Sequence, residues 1–250
     1  MQEQIHGTTM PVLSIHLEPG ESVVAEVGEF SWMTDAIQMS TGIASDAAGE
    51  PLMGAFGRAS GSPLLTSTYT AQGGPGTISF AAKVPGSILP VDVGPGTEYM
   101  VHRHGFLAGT PGLEISVGFQ QSFRAGIFAG EGFVLQRIGG RGRAWAELSG
   151  QVIPHELAAG ESLRVHPGHV GMFQMSVAFQ VVRVPGITNR YFGGDAHYFA
   201  ELSGPGTVWL QSMPLPQLAA SLVPYLPAVL DRPEPVGSGL VGGILGDLLT

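Results

Sequence analysis

The sequence predicts an all-β protein, and three observations lead to that prediction. Glycine and proline contribute 38 and 19 of the 250 residues. They are scattered without a period, which indicates many turns and excludes collagen. Several segments alternate apolar and polar residues, as half-buried strands do. Glycine turns, each followed by such a segment, recur along the chain at nearly equal intervals, so many short strands in one domain are expected.

The repeated markers define the predicted elements in order. Glycine turns that feed a strand begin at Gly74, Gly140 and Gly204. A second marker pairs the segment Gly86 to Val93 with the segment Gly150 to Leu157. The tripeptide Gly-Glu-Ser occurs at both Gly20 and Gly160, and a third marker precedes each glycine turn, near Gly61, Gly130 and Gly194. Three markers at similar spacing predict three units of one repeat.

The order of the markers predicts how the units are divided. The first unit is expected to combine residues 11–72 with 204–213, the second to span 73–138 and the third 139–203. In this prediction the C-terminal strand, Gly206 to Gln211, lies beside Val12 to Leu17 and closes a ring of three units. Residues 1–218 then form one domain, and 219–250 form an apolar tail rich in glycine and proline.

Alternation within the units predicts which side chains face the core. Tyr99 and Val101 are expected on a core face, with Met100 and His102 on a polar face. In the C-terminal strand, Val208 and Leu210 share one face and Trp209 lies on the other. The segment Pro51 to Ala59 is predicted to be a short helix, because its apolar residues recur at helical spacing after a proline.

The run from Leu202 to Ser212, with Gly130 to Leu135 and Gly140-Arg141-Gly142, resembles the altered-inheritance-of-mitochondria protein 24 family over roughly residues 11–218. The resemblance implies three units, each similar to a subunit of the tryptophan RNA-binding attenuator protein. The family's name points to membrane organisation in fungal mitochondria, and the resemblance brings no catalytic motif. The chain departs from the family at Gly61-Ser62-Pro63, where a Gly-Glu-Ser-like turn is expected.

Composition narrows the function classes. The chain has 11 basic and 20 acidic residues, a net charge of −9 and no cysteine. Lys83 is its only lysine. An acidic protein is a poor ligand for phosphate backbones, so no nucleic-acid partner is expected despite the attenuator-like fold. Disulfides and thiolate sites are excluded. No apolar stretch is long enough to cross a bilayer and no signal peptide precedes the first strand, so a cytoplasmic protein is predicted.

One histidine pair suggests a rival, enzymatic function. His102-Arg103-His104 follows Gly96 as the first histidines of a cupin metal motif would, with two ligands on one strand face. The glutamate that a cupin places soon after them is missing, because Ala108 and Gly109 stand there. A cupin-like metal-dependent enzyme that uses His102 and His104 is therefore the alternative.

Two other groups of residues are weaker candidates. Glu26, His102 and His166 occupy one repeat position, and two histidines with a carboxylate suit non-haem iron. The alternation places them on the polar face, which favours three separated surface side chains. An arginine cluster formed by Arg137, Arg141 and Arg143 could bind an anion, but solvated arginines are the more common outcome.

The residues that repeat are glycines, prolines and aliphatic core positions, which build a frame. The sequence therefore predicts a non-enzymatic scaffold or interaction protein, and the family resemblance implies a connection with membrane organisation. No catalytic, cofactor or metal residue is assigned, and no cofactor is expected. The partners predicted are further copies of the chain, with a trimer as one possibility, and an unknown protein.

Overall fold

The computed structural model describes residues 1–43, 65–121, 133–183 and 198–225. These residues form nineteen strands, one α-helix and two short 3₁₀ turns, which confirms the all-β prediction. The helix, α1, spans Leu215–Leu222 and has no buried residue. The strands are β1 (Gln2–His6), β2 (Val12–Leu17), β3 (Ser22–Glu26), β4 (Trp32–Met33), β5 (Ile37–Ile43), β6 (Leu65–Ala71), β7 (Gly76–Ala81), β8 (Gly86–Val93), β9 (Tyr99–His102), β10 (Phe106–Gly109), β11 (Leu113–Gln121), β12 (Phe133–Gly140), β13 (Gly142–Ser149), β14 (Val152–Leu157), β15 (Ser162–Val165), β16 (Val170–Gln174), β17 (Ala178–Arg183), β18 (Tyr198–Ser203) and β19 (Gly206–Gln211).

The chain divides into two compact units, residues 1–217 and 218–250. The first unit holds all nineteen strands. The predicted helix from Pro51 to Ala59 and most of the predicted tail lie outside the described residues. Within the described residues, no helix is long and apolar enough to cross a bilayer.

The strands of the first unit form four antiparallel sheets. The first sheet has the order β1-β2-β7-β4, and the second has the order β5-β6-β3-β10-β13-β8. The third has the order β11-β12-β9-β16-β19-β14, and the fourth consists of β15-β18-β17. Each of the glycine turns at Gly74, Gly140 and Gly204 leads into a strand, as the sequence predicts.

Three buried cores alternate with the sheets. The first core holds side chains of the first and second sheets, among them Leu13 and Tyr69. The second core holds side chains of the second and third sheets, and the third holds side chains of the third and fourth. Because the third sheet has a core on each face, successive residues of one strand enter different cores.

The pairing pattern recurs along the chain. β7 pairs with β2 and β4, β13 with β8 and β10, and β19 with β14 and β16. The register recurs as well: Trp32 lies opposite Ser79, Ala108 opposite Trp145, and Met172 opposite Trp209. Trp32, Ala108 and Met172 therefore occupy one position of the pattern.

Two junctions join consecutive copies of this pattern. β10 pairs with β3, with Ala108 opposite Ala25, and β16 pairs with β9, with Met172 opposite Val101. We call these the first and second junctions. Among the described strands β4 pairs only with β7, and β15 pairs only with β18. No sheet is closed, so the predicted closed domain with pseudo-threefold symmetry is not confirmed.

The predicted position of the C-terminal strand is wrong. β19 pairs with β14 and β16 rather than with Val12–Leu17. The reason is that β2 already has β1 on one side and β7 on the other, which leaves no free edge for a further strand.

The predicted faces are correct for β19 and partly wrong for β9. Val208 and Leu210 pack with the third core, whereas Trp209 packs with the second. Tyr99 and Val101 enter the second core as expected. Met100, predicted on the polar face, is buried in the third core because β16 pairs with β9 and both faces of the sheet are covered.

Candidate functional site

His102 and His104 do not share a strand face. β9 ends at His102, and His104 lies in the following turn with a φ of 65°. Both ring nitrogens of His102 lie close to backbone carbonyl oxygens, Nδ1 at 2.6 Å from Arg103 and Nε2 at 3.0 Å from Glu147. Burial lowers the pKa of His102, and these two contacts partly oppose that effect. The ring acts as a brace between β9 and β13, so the cupin-like arrangement is not formed.

Glu26, His102 and His166 have three different sets of neighbours. Glu26 accepts a hydrogen bond from Nε2 of the buried Gln136 at 2.6 Å. His166 lies with Nδ1 3.3 Å from the Gln217 amide and with its ring 5.9 Å from that of His169. The expectation of surface side chains is wrong for Glu26 and His102, both of which are partly buried. In the part of the chain that the structure describes, no group of three His, Cys, Asp or Glu side chains is placed to hold a metal ion.

Two members of the arginine cluster have carboxylate partners. Arg137 donates to both carboxylate oxygens of Glu98, at 2.7 and 2.8 Å from Nη2. Arg143 donates to Glu3 at 2.6 Å and to Asp92 at 2.9 Å. These carboxylates already satisfy the guanidinium groups, so the cluster offers little to an added anion.

Two buried glutamates contact Lys83 at the point where the first copy of the pattern leads into the second. Glu29 and Glu147 are both about 6% exposed. Lys83 forms an ion pair with Glu29 through its ammonium group, and its backbone N–H donates to Glu147 Oε1 at 2.9 Å. Burial raises the pKa of Glu26, Glu29 and Glu147, and the contact with Lys83 partly offsets the rise for the last two.

An uncharged residue makes the corresponding contact between the second and third copies of the pattern. Gln211 occupies in β19 the register position that Glu147 occupies in β13, opposite Val152 and Ile88 respectively. Its Oε1 accepts the backbone N–H of Ser149 at 3.1 Å, as Glu147 accepts that of Lys83. Each of these two side chains therefore binds the backbone at the end of the central strand of the preceding copy, near Lys83 and Ser149 respectively.

The position of Trp32 differs between the copies of the pattern. Ala108 is fully buried in the first core and Met172 in the second, so each enters the core that precedes its own copy. Trp32 belongs to the first copy and has no preceding core to enter. It is 54% exposed, although it is the largest of the three side chains.

Neighbouring residues extend this exposed surface. Two positions before Trp32, Phe30 is 37% exposed, whereas Phe106 and Val170 at the corresponding positions are fully buried. Val27 is also exposed. We call the side chains of Val27, Phe30 and Trp32 the β4 face.

The β4 face rests on a fixed frame. The ion pair between Lys83 and the buried Glu29 holds the segment before the strand. Ser31 donates its backbone N–H to Ser79 at 3.2 Å, and its Oγ accepts the N–H of Ala81 at 2.9 Å. The Phe30 ring stacks on the buried Tyr69 at a centroid distance of 5.8 Å. The apolar side chains are therefore presented in a set orientation.

Sequence reasoning missed the β4 face. The markers used to align the repeat were glycines and prolines, and none lies between Gly28 and Asp35. Counting from the shared glycines would have placed Trp32 with Ala108 and Met172, because the three residues lie twelve positions after Gly20, Gly96 and Gly160. A tryptophan at a position held elsewhere by alanine and methionine was the available signal.

Comparison with known proteins agrees with this architecture. Residues 3–213 match the model of the family described as Mitochondrial biogenesis AIM24. The chain belongs to the Mitochondrial biogenesis AIM24 family. An uncharacterised protein of Streptococcus pyogenes serotype M6 is 25% identical to this member over 221 residues, which cover 87% of each chain.

A crystal structure of a Streptococcus pyogenes protein matches the fold of this AIM24 member. Its TM-score is 0.69 with 23% identity, over 90% of this chain and 99% of the other. At that identity the likeness concerns the fold alone. Family membership is thus shown over almost the whole first unit, and the similar proteins carry no assigned activity.

Proposed function

We propose that this protein is a non-enzymatic scaffold that binds other proteins through the β4 face. The observation that carries the proposal is the exposure of Trp32 at a position where Ala108 and Met172 are fully buried. Tryptophan is among the residues most enriched at the energetic centres of protein interfaces. An aromatic surface held by an ion pair to the buried Glu29 loses little conformational freedom on binding, which favours affinity.

The proposal also includes the sequence predictions about the three units, membrane organisation and cellular location. The recurring pairings support an arrangement of three units, and the attenuator-like form of each unit stays a prediction. The family is described by mitochondrial biogenesis, and a connection with membrane organisation stays a prediction. A location in the cytoplasm also stays a prediction.

Site-specific photocrosslinking in the native cell tests the scaffold function. A photoreactive phenylalanine analogue replaces Trp32 in one variant and Ile153 in a control variant, since both side chains are just over half exposed. The proposal expects discrete protein adducts from position 32 and none from position 153. Equal, diffuse labelling at the two positions would contradict it.

Metal analysis separates the scaffold from the enzymatic alternative. The protein is purified without a histidine tag and its iron, manganese and zinc are measured. The scaffold account expects substoichiometric metal that is unchanged in His102→Ala. Stoichiometric metal that disappears in His102→Ala would overturn it.

A further inference from the structure

We infer that the β4 face binds a second copy of this chain, and that β4 of one copy pairs with β15 of the other. This inference rests on the proposed function and names the partner of the same surface. It extends to a third place a contact that the chain already makes twice within itself.

The two internal junctions supply the template. In each junction, a later strand pairs along the edge of a strand from earlier in the chain. β10 pairs with β3, and β16 pairs with β9. Among the edge strands of the described sheets, β4 and β15 are the two that correspond to strands of these junctions and yet pair on one side only. β4 corresponds to β10 and β16 through its pairing with β7, and β15 follows Gly160 as β3 follows Gly20 and β9 follows Gly96.

The registers of the internal junctions predict the register between copies. Ala108 lies opposite Ala25 and Gly109 opposite Val24 at the first junction. Met172 lies opposite Val101 and Phe173 opposite Met100 at the second. By the same spacing, Trp32 would lie opposite Val165 and Met33 opposite Arg164.

The side chains fit that register. Ala108 and Met172 enter the core that contains the strand they join. Trp32 would accordingly enter the third core, which includes Val165 and, at its partly buried margin, Leu163. Transfer of a large exposed side chain into such a core stabilises an association.

A second copy is favoured over the chain's own third core. Both strands lie in the same compact unit, residues 1–217, and the described residues form no hydrogen bond between β4 and β15. Each copy thus offers one edge of each kind. Contacts of this head-to-tail type produce closed rings or open chains, in agreement with the predicted homo-oligomer.

Cysteine crosslinking tests the register, and the chain suits it because it contains no cysteine. Met33→Cys and Arg164→Cys are made in separate proteins, which are mixed and oxidised. Directly paired residues lie within disulfide reach. The inference expects a disulfide-linked dimer from this mixture, and none when Ile153→Cys replaces Arg164→Cys.

Light scattering supplies the second arm. The wild-type mass at tens of micromolar is expected to exceed the chain mass of 26.0 kDa. Trp32→Asp should return it to that of one chain, and Ile153→Asp, at an equally exposed site, should leave it unchanged. Circular dichroism and thermal melts of both variants establish that they are folded.

Three results would overturn the inference. The first is a wild-type protein of one chain mass, and the second is an assembly that Trp32→Asp leaves intact. The third is a double variant, Met33→Cys with Arg164→Cys, that forms only a disulfide within one chain. If any of these occurs while position 32 still yields adducts with other proteins, the scaffold function stands and the self-association fails.

Discussion

At the residue scale, Trp32 shows how one position of the recurring pairing pattern can change its role. Its counterparts Ala108 and Met172 fill the core of the preceding copy. The first copy has no predecessor, and a large aromatic side chain stands on the surface instead. The exposure of Trp32 therefore follows from its place at the start of the series of copies.

The contribution of Glu26 to the stability of the protein should depend on pH. Burial raises its pKa above the ordinary value of 4.5. A carboxyl with a raised pKa in the folded protein contributes stability below about pH 4.5, and this contribution is lost as the pH rises through the folded value. Glu26→Gln should therefore be more stable than wild type at neutral pH, and the gain should shrink towards acid pH. Urea denaturation between pH 4 and pH 8 measures it.

Glu201→Gln provides a control with the opposite sign. Hydrogen bonds from Arg164 and Gln180 lower the pKa of Glu201, so its contribution to stability is present above pH 4.5 and lost as the pH falls. Glu201→Gln should be less stable than wild type at neutral pH and should approach it in acid. Parallel pH profiles for the two variants would disprove the assignment of a buried Glu26.

At the element scale, β8 and β13 approach so closely at Gly86 that there is no room for a side chain. A Cβ atom built at Gly86 would lie 2.1 Å from the backbone carbonyl oxygen of Leu148, and backbone atoms cannot move aside cheaply. Gly86→Ala should destabilise the protein by about 1–3 kcal/mol. Gly74→Ala is the control, because nothing lies within 4 Å of a Cβ there, and should change stability by less than about 0.5 kcal/mol. Chemical denaturation of both variants measures the difference.

Removal of β19 should have a larger effect on stability than either glycine substitution. It pairs with β14 and β16, and its side chains enter the second and third cores. Burial of each large side chain contributes about 1.5–3 kcal/mol, and the complete stability of a domain is about 5–15 kcal/mol. A variant that ends at Ser203 should therefore be insoluble, whereas one that ends at Leu230 should fold. A cooperative melt of the shorter variant near the wild-type temperature would contradict this role of β19.

The strands show how far the sequence could predict the fold. Glycine turns and alternation identify strands because they depend on local backbone geometry, and β13 and β19 begin as predicted. Strand neighbours depend on which edges are still free, and local pattern carries no such information. The burial of Met100 and the position of β19 were missed for that reason.

The candidate site was even less accessible to sequence reasoning. His102 attracted attention as a possible metal ligand, but its environment depends on the carbonyl oxygen of Glu147, a distant residue in sequence. Lys83 and Glu29 are separated by 54 positions, and their ion pair joins the segments that follow β7 and β3. Contacts of this kind join segments that are distant in sequence, so only the three-dimensional structure shows them.

At the scale of the whole molecule, the described part of residues 1–217 has four sheets with three cores between them, and later copies of the pairing pattern pair with strands from earlier in the chain. The two internal junctions use matching registers, and the β4 and β15 edges are the places where the series begins and ends. A frame of this kind explains why repeated residues are structural. It also explains why we assign binding to the β4 face, which lies in the first copy of the pattern.

Hydrogen exchange as a function of protein concentration tests the central claim most directly. Peptides that cover residues 27–34 and 162–166 report on the β4 and β15 edges, and peptides that cover β10 and β16 report on the internal junctions. We expect protection of both edge peptides to rise from submicromolar to tens of micromolar protein, while the internal junctions stay constant. Edge protection that is independent of concentration, whether high or low, would contradict the account.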